Sequence, residues 1–116
     1  MIEISRLTLS LSDIAPSHQP YRRQWAGVQG YVYIGIHLDI NLITIPVYGI
    51  IARNGNHRLG KIAQVHGLNT TLTAKHINDP DEEVETWCEM VEKARQSGIF
   101  TYNDFYHACL RDEFKE

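Results

Sequence analysis

Apolar and polar side chains alternate most strictly over residues 31–42. Val32, Ile34, Ile36, Leu38, Ile40 and Leu42 fall on one side, and Tyr31, Tyr33, Gly35, His37, Asp39 and Asn41 on the other. A period of two sends successive side chains to opposite faces of a strand. The pattern therefore predicts a strand over 31–45, its aliphatic face on the core and its other face toward solvent or a ligand. Pro46 has no amide proton for a sheet, so it ends that strand or places it at an edge. Looser alternation in 2–11 (Ile2, Ile4, Leu7, Leu9, Leu11) predicts a first strand, and 47–52 and 70–77 predict two more.

The spacing changes to the helical one in two places. Leu59, Ile62, Ala63 and Val65 predict a helix over 58–66, stopped by Gly67. Near the C-terminus Asp79-Pro80, followed by Asp81, Glu82 and Glu83, has the composition of a helix start. Val84, Trp87, Cys88, Val91 and Ala94 then recur on one face until Ser97-Gly98. Thr101-Tyr102-Asn103-Asp104 is a capping box with Asp in place of Glu, and opens a helix with Tyr102, Phe105, Tyr106, Cys109 and Leu110 turned inward. The expected class is α+β: a small mixed β-sheet, a strand-turn-helix anion site and a C-terminal helical hairpin. One domain spans 1–116, with an α/β core over 1–78 and the hairpin over 79–116.

Composition changes this picture little. With 116 residues, 43% hydrophobic and 22% charged, the chain has ordinary globular proportions. The net charge of −3 is too small for a mimic of DNA and has the wrong sign for a protein that grips DNA mainly through phosphates. The acids are concentrated in 79–92 and 112–116, however, leaving the first 78 residues mildly basic. A nucleotide or nucleic-acid partner for the N-terminal part stays open. Cys88 and Cys109 lie on apolar helical faces and read as small buried hydrophobes. No CxxC or Cys/His spacing indicates a metal. No cofactor is specified. The N-terminus lacks the pattern of a secretion signal and the apolar stretch 31–51 is interrupted by His37, Asp39 and Asn41, so a cytoplasmic location with no membrane contact is expected.

The most informative residues are Asn54-Gly55-Asn56-His57-Arg58, where a short strand turns into a helix. Free backbone N–H groups, the positive end of the helix dipole and an Arg meet there, which suits an anion and above all a phosphate. Gly55, Asn56, His57 and Arg58 are the expected ligand-binding residues. Arg22, Arg23, Arg53 and Lys61 are candidate nucleic-acid contacts. Three weaker constellations accompany them. His37 and Asp39 share a strand face and fit a general base with its orienter, or simply a wet face. Trp25, Tyr31 and Tyr33 near Arg22-Arg23 fit base stacking, or core packing. His66 lies near a helix C-terminus, where the dipole favours it without further role. No Walker loop, Ser-His-Asp order or carboxylate pair is present.

The run from Ile50 through Gly55-Asn56-His57-Arg58 to His66-Gly67-Leu68 resembles the core of the ParB/sulfiredoxin-like superfamily, in which a strand leads into Asp-Gly-x-His-Arg. The stretch from Ser12 to Arg22, with Pro16, Gln19 and Arg22, is similar to that family's Pro…Gln-x-Arg segment. Ile45-Pro46-Val47 resembles its Pro-Ile-x-Val strand entrance. The likeness covers roughly residues 2–78. It implies a nucleotide- or phosphate-binding cleft, in domains that act variously as NTP-hydrolysing DNA clamps, nucleases, small-molecule kinases or sulfinic-acid reductases. It also implies that Gly55, His57 and Arg58 hold the phosphate. Asn56 stands where the reductases place their catalytic Cys, which removes that activity, and Asn54 stands where an acid often precedes the glycine.

The expected function is a phosphate-ligand domain, binding a nucleotide or nucleic acid, with residual nuclease or nucleotidase activity as an extension. Binding ranks above catalysis, because no residue pair is placed for proton transfer. The alternative is a small non-enzymatic protein of a phage or plasmid, a mobile genetic element, that binds and modulates a host protein through the acidic hairpin or the aromatic strand face. A third expectation is an oligomerising module paired through strand 31–42. Monomer and homodimer are both compatible with these readings.

Overall fold

A computed structural model of the chain describes residues 1–35 and 38–115. Four strands form one sheet: β1 (Glu3–Ser10), β2 (Asn41–Ile45), β3 (Gly49–Ala52) and β4 (Thr71–Asn78). Their order is β1-β4-β2-β3, with β4 antiparallel to β1 and parallel to β2, and β2 antiparallel to β3. A short helix α1 (Arg22–Gly27) precedes β2, α2 (Asn56–His66) links β3 to β4, and α3 (Val84–Gln96) and α4 (Tyr102–Leu110) close the chain. The architecture is α+β, a mixed four-stranded sheet with helices including the C-terminal pair.

The alternation within the strands divides the interior in two. Leu42, Ala52, Leu72 and Ala74 join Trp25 of α1, Leu59, Ile62 and Ala63 of α2, and Phe105 and Ala108 of α4 in the main core. Ile43, Ile45 and Ile51 belong to a smaller cluster with Val91 of α3, and Val84 and Trp87 pack against it. Neighbours such as Leu42 and Ile43 thus serve opposite sheet faces. Ala94 and Ile99 carry the end of α3 and the link after it back into the main core. Thr101 caps α4 as its spacing predicts: its hydroxyl accepts from the Asp104 N–H, and the Asp104 carboxylate accepts from the Thr101 N–H. The close packing of α2 on α4 depends on Gly60, where a Cβ would stand 2.8 Å from Phe105 Cδ1.

Two predicted elements are corrected. The strand begins only at Asn41; residues 31–35 and 38–40 follow an irregular path, and Ile36 and His37 lie outside the described residues. Over 31–34 the faces are also inverted: Tyr31 and Tyr33 pack against the main core, while Val32 and Ile34 are exposed, whereas Leu38, Ile40 and Leu42 are buried and Asp39 exposed as the alternation predicts. Gly35, at φ 84°, breaks any continuous strand there. An oligomer paired through strand 31–42 loses its basis. The second correction concerns Asp79-Pro80, which forms a turn and not a helix start. Asp79 Oδ1 accepts from the Asp81 N–H at 2.9 Å and the Asp79 carbonyl accepts from the Glu82 N–H at 3.1 Å. Helix α3 starts four residues later than expected, with Glu83 in place of Asp79 at the cap and Val84 as its first residue.

Candidate functional site

Gly55 is the N-cap of α2 and adopts a left-handed conformation, φ 89° and ψ 17°. Glycine is needed there twice over, since a Cβ would also lie 2.5 Å from Ile40 Cγ1. Having no side chain, Gly55 cannot cap the helix, and no side-chain cap bond is made. The N–H groups of Asn56, His57 and Arg58 precede the first intrahelical donor, Leu59, whose N–H reaches the Gly55 carbonyl at 3.0 Å. These N–H groups border a cleft of about 410 Å³ lined by His18, by Gln24 and Val28 from the α1 side, and by residues 53–58. Among the described residues no carboxylate lines it.

Asn56 faces the other way. Its side chain is 2% exposed and fills all four of its hydrogen-bonding positions inside the protein. Oδ1 accepts from the Ser17 N–H at 3.1 Å and from the Tyr102 hydroxyl at 2.7 Å. Nδ2 donates to Ser17 Oγ at 2.8 Å and to the Ala52 carbonyl at 3.4 Å. One side chain thereby ties the segment before α1, the end of β3, α2 and α4 together. Only its backbone N–H is left for a ligand, a division that nothing in the local sequence indicates.

His57 is 5% exposed and packs edge-on against Phe105, with ring centroids 5.1 Å apart. Its Nε2 accepts from the Tyr21 N–H at 2.9 Å, which places the ring proton on Nδ1. Burial, with His18 adding a smaller effect, lowers its pKa to about 4, so the ring is neutral at pH 7. Among the described residues Nδ1 has no partner, yet it is not one of the sealed unpartnered atoms, of which Glu82 Oε1 is the only one there. The unpartnered Nδ1–H thus belongs to a buried ring that lines the cleft.

Arg58 is half-buried beside the same cleft and donates from Nη1 to the Asp39 carbonyl at 2.9 Å. That bond uses one of five guanidinium donors. Arg53 also lines the cleft, but its Nε lies 3.4 Å from the shielded Glu82 Oε1, which pulls it toward the acids following β4. Asn54 accepts from the Asn41 N–H at 2.9 Å and fixes the turn to β2.

The remaining candidates lie elsewhere. Arg22 pairs with Asp112 at 2.7 Å and stacks on Phe114, while Lys61 donates to Gln29 and Gln64 and sits over the Trp25 ring. Arg23 is exposed on α1 and does not line the cleft. Trp25 belongs to the main core, so its ring is not a stacking platform. Asp39 is exposed, with its carbonyl engaged by Arg58; its proposed partner His37 lies outside the described residues. Sequence reasoning missed His18, which borders the cleft through residue 18 of the very Ser12-to-Arg22 stretch that carried the family likeness. Among the described residues no group of three His, Cys, Asp or Glu is placed to hold a metal, and no helix is long and apolar enough to cross a membrane. The chain matches no family model, no curated protein and no solved structure.

Proposed function

We propose that the cleft at the start of α2 binds the phosphate of a nucleotide or nucleic acid, as the resemblance to ParB/sulfiredoxin-like domains implies. The observation that carries this reading is buried His57, whose Nδ1–H has no partner among the described residues and whose ring lines, beside three uncapped helix N–H groups, a cleft with no described carboxylate in its lining. Donors converging from fixed backbone and a locked ring need little reorganisation to receive an anion. Arg58 adds a full positive charge, and its planar fork suits phosphate oxygens. A thermal-shift titration with nucleotides, polyphosphate and short DNA tests the reading. A rise in midpoint of several degrees that Arg58→Ala removes supports it. A flat response across the panel refutes it. Hydrolysis or nicking is then assayed only with ligands that bind.

A second reading, a small protein that binds a host protein, draws on a different surface. Arg95 lies between the rings of Tyr48 and Phe100, 4.8 and 5.4 Å from their centroids, and Val47 projects beside Tyr48 with 93% exposure. Stacked Tyr and Arg with an apolar neighbour resemble the side chains that dominate binding energy at interfaces. Specific capture of one partner, lost on Val47→Asp and Phe100→Asp, supports this reading; capture unaffected by both refutes it.

A further inference from the structure

His18 brings a ring-nitrogen acceptor to the lining of the cleft. His18 Nδ1 lies 2.7 Å from the Gln19 carbonyl, and a carbonyl only accepts, so Nδ1 carries the proton and Nε2 of the neutral ring presents a lone pair. No described residue engages that Nε2, and it is not among the sealed unpartnered atoms. The ring is fixed from three sides, 5.2 Å from Tyr21, 5.7 Å from His57 and 6.4 Å from Phe105, measured between centroids.

The charged and titratable groups around His18 are cationic or neutral. They are His57 and Arg58 on α2, Arg53 after β3, Tyr21 before α1, Lys93 on α3 and Lys115 at the C-terminal end; no carboxylate lines either of the two cavities that His18 borders. This setting, burial first, holds the free imidazole below its ordinary pKa. Among the described residues that line these cavities, His18 has no carboxylate to share a proton with. A bound phosphate supplies that partner.

We propose that the cleft selects a terminal phosphate, a phosphomonoester, over an internal phosphodiester, with His18 Nε2 and one phosphate oxygen sharing a single proton. The proposal rests on the phosphate reading of the cleft and names its ligand class. Three directions of contact are available: the helix N–H groups with His57 Nδ1–H, the Arg58 guanidinium, and His18. A monoester has three non-bridging oxygens to meet them, and a diester only two. The proton balance follows. Above pH 7 the free monoester is mainly a dianion, its second pKa being about 6, and free His18 is neutral. The complex therefore takes one proton from solvent and holds it between nitrogen and oxygen. No bond to phosphorus is made or broken.

Titration calorimetry with AMP and cyclic 3′,5′-AMP tests this, because the two share a base and differ in ester class. The wild type should bind AMP at least tenfold more tightly at neutral pH, with uptake of up to one proton seen in buffers of different ionisation heat. Its AMP affinity should fall about tenfold per pH unit above pH 7. His18→Gln, checked for folding by circular dichroism, should lose both the selectivity and the slope. A 5′-phosphorylated oligonucleotide against its 5′-hydroxyl form separates the two sources of a terminal phosphate, strand end and free nucleotide, and preference for either source supports the proposal. Equal binding of AMP and cyclic AMP, affinity flat or rising with pH, or selectivity unchanged in His18→Gln overturns it. If such binding still depends on Arg58, the phosphate reading survives alone. Binding of no phosphate compound removes both.

Discussion

Replacing Asn56 by Ala tests whether this side chain is a structural tie or a ligand contact. The substitution removes the acceptor of the buried Ser17 N–H, and leaving such a donor unpaired costs about 1–3 kcal/mol. The Tyr102 hydroxyl keeps only the Ala15 carbonyl, 3.4 Å away. That weaker bond adds a loss of about 0.5–1.5 kcal/mol. Ser17 Oγ can rotate, and the bond to Ala52 is already long, so neither adds much. The expected loss is about 2–4 kcal/mol, against a total stability of about 5–15 kcal/mol for a domain, so the variant folds at 25 °C but with a narrow margin. Urea unfolding followed by tryptophan fluorescence measures it, with an unchanged m-value as the sign that only stability has moved. Asn56→Asp serves as a control. A carboxylate can accept from Ser17 and Tyr102 but faces the Ala52 carbonyl, so Asp should be worse at pH 8 than at pH 5. A loss below about 1 kcal/mol in Asn56→Ala would refute the argument. So would a fully folded variant that no longer binds phosphate, since the side chain would then reach the ligand.

Three further outcomes are expected. Val47 has φ 73° while almost fully exposed. Val47→Gly therefore relieves a left-handed cost of about 1–2 kcal/mol, partly offset by glycine's chain entropy, for a net gain of about 0.5–1 kcal/mol; a lower melting temperature would contradict this. Burial holds His57 down to about 4 in the folded chain, below the ordinary 6.5. A lowered histidine pKa gives stability that is present above 6.5 and lost as pH falls toward 4, by up to about 3 kcal/mol. Denaturant midpoints between pH 7 and 4 should decline accordingly, and less so in His57→Gln; equal slopes in both would oppose the assignment. Burial pushes the Cys109 thiol up to about 12, whereas Cys88 is half-buried. A thiol reagent at pH 8 should label one cysteine quickly and the second only on unfolding; two fast thiols would show Cys109 to be open.

Local patterns revealed the parts whose partners are near in sequence or whose faces are used conventionally. Strands β1 and β4, the body of α2 and the Thr101–Asp104 cap all follow from spacing. Residues 31–34 deceived because alternation specifies two faces without saying which is inward. Tyrosine supplies buried ring surface and a hydroxyl that reaches out, as Tyr33 does toward the Thr71 carbonyl at 3.4 Å, so the polar-looking face became the packed one. Asp79-Pro80 suits a turn as well as a helix start, because Asp accepts from the backbone two residues on in either case. In the candidate site, Gly55 and Arg58 were legible from the strand-to-helix transition. The inward role of Asn56 was not, since Ser17 and Tyr102 lie 39 and 46 residues away. His18 was hidden for the same reason: only tertiary packing brings it beside His57.

The strand order carries a consequence for how the chain is made. β4 lies between β1 and β2, yet it is the last strand to be synthesised. A nascent chain that has not yet released residues 71–78 from the ribosome holds β2–β3 as the only ladder among the described strands, while β1 waits with both edges open. Closure of the sheet then depends on contacts between residues as distant as Glu3 and Asn78. Such non-local pairing slows folding and lengthens the exposure of unpaired strand edges. Truncation before Thr71 should accordingly yield a chain captured by chaperones or proteases instead of a smaller folded unit.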